Sequence, residues 1–132
     1  MNLNLNEIVQ LSYELNGIKK DDKVVLNGLL AQKISLKTKV YLQRLNKVVA
    51  EELKVFEDTR KELLLKYGIQ EGESVSIPTE NIESFKVEFD QLLRVNKNID
   101  VDSLWSDDLS LKDFEAIETD EFYPVFFKFI DK

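Results

Sequence analysis

The sequence predicts an α-dominated α+β fold: an antiparallel hairpin built on one long helix, with a small two-stranded β-ribbon and short terminal helices. Three observations carry this. Between Leu36 and Tyr67 no glycine or proline occurs, while apolar residues return every three or four positions. From about Glu80 to Val95, Ile82, Phe85, Phe89, Leu92 and Leu93 form a stripe suited to one face of that long helix, running antiparallel to it. Finally, Ser74 to Ile77 and Asn98 to Leu104 alternate apolar and polar residues as short strands do, and they are expected to pair with each other and to pack on the helices.

In chain order, Leu5, Ile8, Leu11 and Leu15 predict a short amphipathic helix, with Asn4 or Asn6 as its cap and Asn16-Gly17 as its stop. Asp21 and Asp22 before Val24, Val25, Leu29 and Leu30 read as the start of a second short helix, loosened at Gly28 and closing near Lys33-Ile34. Ser35 is positioned to cap the long helix and Gly68 to end it. Pro78 and Thr79 supply the turn and cap of the next helix. The tail predicts a short helix around Leu111 to Ile117 and a last aromatic helix from Thr119, with Pro124 tolerated in its first turn. The 132 residues make one domain: short helices over 1–34, the helical hairpin with its short strand over 35–95, and a strand with aromatic C-terminal helices over 96–132.

The residue inventory narrows the chemistry. With no cysteine there is neither a disulfide framework nor thiolate chemistry, and with no histidine the usual zinc or copper ligand and neutral-pH proton shuttle are missing. No Gly-x-Ser-x-Gly elbow, Walker loop or dinucleotide fingerprint occurs. Neither a signal-peptide pattern nor a membrane-spanning apolar run is present, so the chain is expected in a cytoplasm. Net charge is −7, split unevenly: twelve basic and nine acidic residues through Gly68, six basic and sixteen acidic from Ile69 onward. Such a split either draws the two halves together within the fold or presents an acidic face to basic partners, and it disfavours nucleic acid.

Three groups of residues stand out as possible sites. Asp100, Asp102, Asp107, Asp108, Asp113, Glu118, Asp120 and Glu121 supply carboxylates, but without the spacing of an EF-hand loop, and acids near helix starts are ordinarily explained by the helix dipole. No metal, cofactor-binding or catalytic residue is therefore assigned. Lys33, Lys37, Lys39, Arg44 and Lys47, with Tyr41 among them, make a basic stretch that serves as a solvated helix face or as a partner for the acidic half more readily than as a nucleic-acid stripe. The tail is the least ordinary feature. Phe122, Tyr123, Phe126, Phe127, Phe129 and Ile130 occupy nearly every face of one short helix. Either this helix plugs the end of the hairpin, or Trp105, Phe122, Tyr123, Phe126 and Phe127 contact a second chain, since aromatic anchors dominate interface energies.

Phe56, Arg60, Leu63, Lys66, Tyr67 and Gly68 form a Phe-x-x-x-Arg-x-x-Leu-x-x-Lys-Tyr-Gly exit from the long helix, and Phe85, Phe89, Leu92 and Leu93 follow a short strand. With the Leu-Lys-rich beginning of that helix, this pattern over about residues 24 to 130 resembles small uncharacterised proteins of tailed bacteriophages and prophages. It differs from them at Lys33-Ile34-Ser35, where they carry a proline, and in its aromatic tail. The resemblance implies a non-enzymatic phage accessory or virion-associated protein. Such a protein would act by protein–protein contacts, through self-association or with other virion proteins, in the host cytoplasm or in the virion. The alternative is an early phage factor that binds and inhibits a host or defence protein through its acidic half.

Overall fold

Asn4 sets the start of the first helix. Its side chain accepts from the Glu7 N–H at 2.8 Å while the Glu7 carboxylate accepts from the Asn4 N–H at 3.2 Å, a reciprocal capping box that satisfies two otherwise orphaned donors. The structure, a computed structural model, describes residues 1–104 and 123–129. Strand β1 (Asn2–Asn4) leads into helix α1 (Leu5–Asn16), whose stripe Leu5, Ile8, Leu11 and Leu15 is entirely buried. Gly17 ends the helix with φ at +86°, where a Cβ would come within 2.7 Å of the Leu26 carbonyl oxygen, so both conformation and space select glycine.

The next segment departs from the expected second helix. Residues 17–27 form a β-hairpin, β2 (Gly17–Lys20) against β3 (Lys23–Asn27), with Lys20 opposite Lys23 and a bulge between Ile18 and Lys19. The two-residue turn explains the difference. Asp21 and Asp22 both take positive φ, 52° and 63°, the combination a tight hairpin turn requires and one that aspartate tolerates better than most residues. β-Branched Val24 and Val25 then favour the strand. The only helical element here is a 3-10 turn at Leu29–Ala31, with Leu29 buried beneath it.

Helix α2 (Leu36–Tyr67) begins where Ser35 accepts from the Thr38 N–H at 3.2 Å. Its 32 residues extend about 48 Å at 1.5 Å per residue. Burial along it is uneven: Thr38, Tyr41, Leu42, Leu45 and Val49 are buried in the first half, whereas only Phe56 is buried beyond. Gly68 ends the helix with extended φ of −105°, not the left-handed conformation that usually selects glycine at this place. Space selects it instead, because a Cβ at Gly68 would collide with Val75 Cγ1 and the Leu64 carbonyl oxygen.

Strand β4 (Ile69–Glu71) pairs with β5 (Ser74–Ser76) across a turn at Gly72-Glu73, and helix α3 (Thr79–Leu93) follows. The expected partner of Ser74–Ile77, the segment 98–104, is elsewhere. Strand β6 (Asn96–Asn98) pairs with β1, and Val101–Leu104 is helix α4. A two-residue loop closes at far smaller entropic cost than one bridging twenty residues, so each of the two local hairpins forms on itself, while β6 meets the N-terminus that α3 has brought beside it. Among the described residues three separate ribbons replace the single one expected, and residues 1–34 hold a helix and a β-hairpin instead of short helices alone.

Pro78 takes the cap position of α3 itself, without a side-chain bond, so Thr79 lies inside the helix. The helix returns antiparallel to α2: Tyr67 lies against Phe85, Phe56 against Phe89, and Glu52 against Lys97 just beyond its end. The long-helix hairpin is thus present, in an α-dominated α+β fold. The core sits at one end of it, between α1, the first half of α2, and α5 (Pro124–Phe127).

Candidate interaction surfaces

The described part of the aromatic tail belongs to the core: Tyr123, Phe126 and Phe127 are 3%, 0% and 8% exposed and face the chain's own interior instead of a second chain. Trp105 and Phe122 lie outside the described residues, as do the expected helix at Leu111 to Ile117 and the carboxylates from Asp107 to Glu121. Two polar clasps hold the tail. The buried Glu14 carboxylate accepts from the Phe126 N–H at 2.8 Å and the Val125 N–H at 3.3 Å. The Tyr123 hydroxyl donates to the Asn27 carbonyl at 2.6 Å and accepts from Gln32 Nε2 at 3.2 Å.

Glu14 is a residue that sequence reading passed over, since it interrupts no apolar stripe and belongs to no motif. Burial pushes its carboxyl above the ordinary value, against the opposing hydrogen bonds from Phe126, Val125 and Gln10 and the charge of Lys128. On the rim of the same clasp, Lys128 Nζ meets Glu7 Oε2 at 2.6 Å. Partial burial works to raise Glu7, but the hydrogen bonds from Lys128 and the Asn4 N–H outweigh it and hold its carboxyl below the usual range.

The surface with the character of a contact site lies at the opposite end. Beyond Phe56, α2 and α3 form a two-helix arm tipped by the β4–β5 hairpin. Its apolar seam contains an aromatic ladder: Phe56 to Phe89 at 6.1 Å, Phe89 stacked on Phe85 at 5.7 Å, and Phe85 edge-on to Tyr67 at 6.5 Å. Not one residue of α3 is fully buried, although Ile82, Phe85, Phe89, Leu92 and Leu93 line one stripe of it. α2 covers the stripe and α1 also meets α3, with Phe89, Leu92 and Leu93 packed against the core, yet all five side chains stay only partly buried. The arm is internally braced. Asn81 Nδ2 donates to the Tyr67 carbonyl at 2.9 Å, and Lys66 lies 3.0 Å from Glu88, whose hydrogen bond raises the lysine's pKa and is reflected in a lowered one for the glutamate.

The basic stretch is partly committed to structure. Arg44 Nη1 donates to the Leu104 carbonyl at 2.9 Å and its guanidinium lies 5.8 Å from the Tyr41 ring centre, with Lys37 at 5.9 Å from the same ring. Between the two halves of the chain, described ion pairs run in both senses. Lys66–Glu88 follows the expected attraction, whereas Lys97–Glu52 and Lys128–Glu7 place bases from the acidic half on acids of the basic half. No group of three or more acidic side chains is placed to hold a metal ion among the described residues, and none of their helices is long and apolar enough to cross a membrane. Comparison with protein-family models, with curated proteins and with solved structures finds no match for the chain.

Proposed function

We propose that this chain is a non-enzymatic, virion-associated accessory protein of a tailed bacteriophage, acting by contact with another protein through its two-helix arm. The observation that supports the contact reading is the stripe of α3, where five large apolar residues stay only partly buried although α2 covers them and Phe89, Leu92 and Leu93 also pack against the core. Completing the burial of a Leu or Phe that is already mostly covered contributes less than about 1 kcal/mol each, so five together offset only part of the 4–15 kcal/mol or so that association costs. The phage origin rests on the resemblance carried by the Phe56 to Gly68 exit and the Phe85 to Leu93 stripe.

Quantitative mass spectrometry of purified particles of the encoding phage tests the reading. The chain is expected at a fixed copy number relative to the capsid and tail proteins. A Phe85→Glu chain, still helical by circular dichroism, is expected to be lost from the particles. Absence of the wild-type chain from particles overturns the virion assignment, and incorporation of the Phe85→Glu chain at the wild-type level overturns the arm as the contact surface.

A further inference from the structure

We infer that residues 123–129 form a releasable strap, which lifts off α1 as a unit while α1 stays packed on α2, with the Glu14 carboxylate as its catch. The strap lies apart from the arm, and the manner in which the fold holds it carries the inference. Helix α5 has four residues, far fewer than the roughly 12 that an isolated helix needs in water, so the segment has no order of its own to keep. It packs principally on α1, and α1 packs principally on α2, so the contact between those two helices does not run through the tail. The side-chain hydrogen bonds and the ion pair described for the segment go to Glu7, Glu14, Asn27 and Gln32, all in the N-terminal part of the chain. Residues 105–122 alone join it covalently to α4.

Burying Tyr123, Val125, Phe126, Phe127 and Phe129 favours docking, while fixing the chain over 123–129 opposes it by a term of similar size. The polar contacts therefore decide how long the strap stays down. Glu14 is the buried member of them and takes the N–H groups of both Val125 and Phe126, and release returns its carboxyl to water. In the docked form burial pushes that carboxyl above its ordinary value, against the hydrogen bonds of Phe126, Val125 and Gln10 and the charge of Lys128. Among the described residues of α1 and of the elements packed on it, Lys128 is the charged group that acts on Glu14. Docking is accordingly favoured below the ordinary carboxylate value, and release grows as pH rises through the raised one. Glu7 on the rim runs the other way. Partial burial works to raise it, but Lys128 and the Asn4 N–H hold it low, so its share of the docking is lost only as pH falls through the lowered value. Above the ordinary carboxylate range Glu14 sets the pH dependence.

Hydrogen exchange of the full chain, followed amide by amide by NMR at low urea concentrations, tests the strap. The Val125 and Phe126 amides are expected to exchange through an opening that depends little on urea and is at least about tenfold more populated than the one that frees Leu11 and Leu45. After correction for intrinsic exchange, that population is expected to rise at least about threefold between about pH 5 and about pH 7, and to lose this rise in Glu14→Gln. Tyr123→Phe removes the hydroxyl contacts with Asn27 and Gln32 and leaves Glu14 in place, so it is expected to raise the population about fivefold with the pH dependence kept. Exchange of Val125 and Phe126 only through the opening that also frees Leu11 and Leu45 overturns the inference, as does a wild-type pH dependence in Glu14→Gln. Where Glu14→Gln does not fold, a Tyr123→Phe chain whose tail opens no more often than the wild type overturns it instead.

Discussion

Glu14 shows how much one residue decides. Carboxylates are rarely buried without compensation, and here the compensation is two backbone N–H groups at the start of α5 that would otherwise lack acceptors. Glu14→Ala strands both donors, and a loss of about 1–3 kcal/mol in urea denaturation is expected. The pH dependence has a definite sign. Because burial raises the Glu14 pKa in the folded chain, the stabilisation from its protonation is fully present below the unfolded carboxylate value and fades as pH rises through the raised folded value. Glu7 works oppositely: its lowered pKa gives stability that is present above the unfolded value and disappears as pH falls through the folded one. Substituting Glu14→Gln removes only the first contribution. The wild type should therefore gain stability relative to Glu14→Gln as pH is lowered from about 7 to about 4.5, as read from paired urea midpoints. A difference that stays constant with pH would show that Glu14 is not shifted.

Elements depend on such residues at their ends. The Asp21-Asp22 turn makes residues 17–27 a hairpin, at the cost of two non-glycine residues in the left-handed region. Replacing the pair by Asn-Gly, the residues this turn favours most, is expected to raise stability by about 0.5–1 kcal/mol, measured as an increased melting temperature. A decrease would mean that the aspartates are held by something other than turn geometry. The same element marks where sequence reading was misled. Val24, Val25, Leu29 and Leu30 have spacing compatible with a helix, but the turn conformation before them is a backbone property that periodicity does not register. By contrast α1, α2 and α3 were legible because each carries an unbroken stripe with recognisable end signals. Asn4, Ser35 and Gly68 all sit where the helix ends were expected, even though Gly68 is required for space and not for a left-handed bend.

Across the whole molecule, stability divides along α2. Its first half is buried under α1 and α5, while beyond Phe56 neither α2 nor α3 contributes a fully buried residue. Local opening free energies follow buried apolar contact, so amide hydrogen exchange should be faster over residues 57–67 and 79–89 than over 8–15 and 41–49. Uniform protection along α2 would contradict this division. An arm that opens below the global unfolding free energy is also one that a partner can order on binding, which links the division to the contact role proposed for it.

Legible from local sequence are α1, α2 and α3, the caps at Asn4 and Ser35, and the stripe each of these helices turns toward a neighbour, because these depend on interactions within a few residues. The aromatic tail was legible as apolar on nearly every side, but not as core or contact surface. Tertiary structure decided that. Glu14, more than a hundred residues away in the chain, supplies the acceptors that allow the tail to lie buried against α1. It also decided that β1 pairs with β6, since a three-residue strand carries too little pattern to specify a distant partner until the helices bring the two together. The seam on the arm is read in the sequence as a packing stripe. Only the folded chain shows that it stays partly exposed beside α2, because the supply of covering elements is a property of the whole arrangement and not of the stripe.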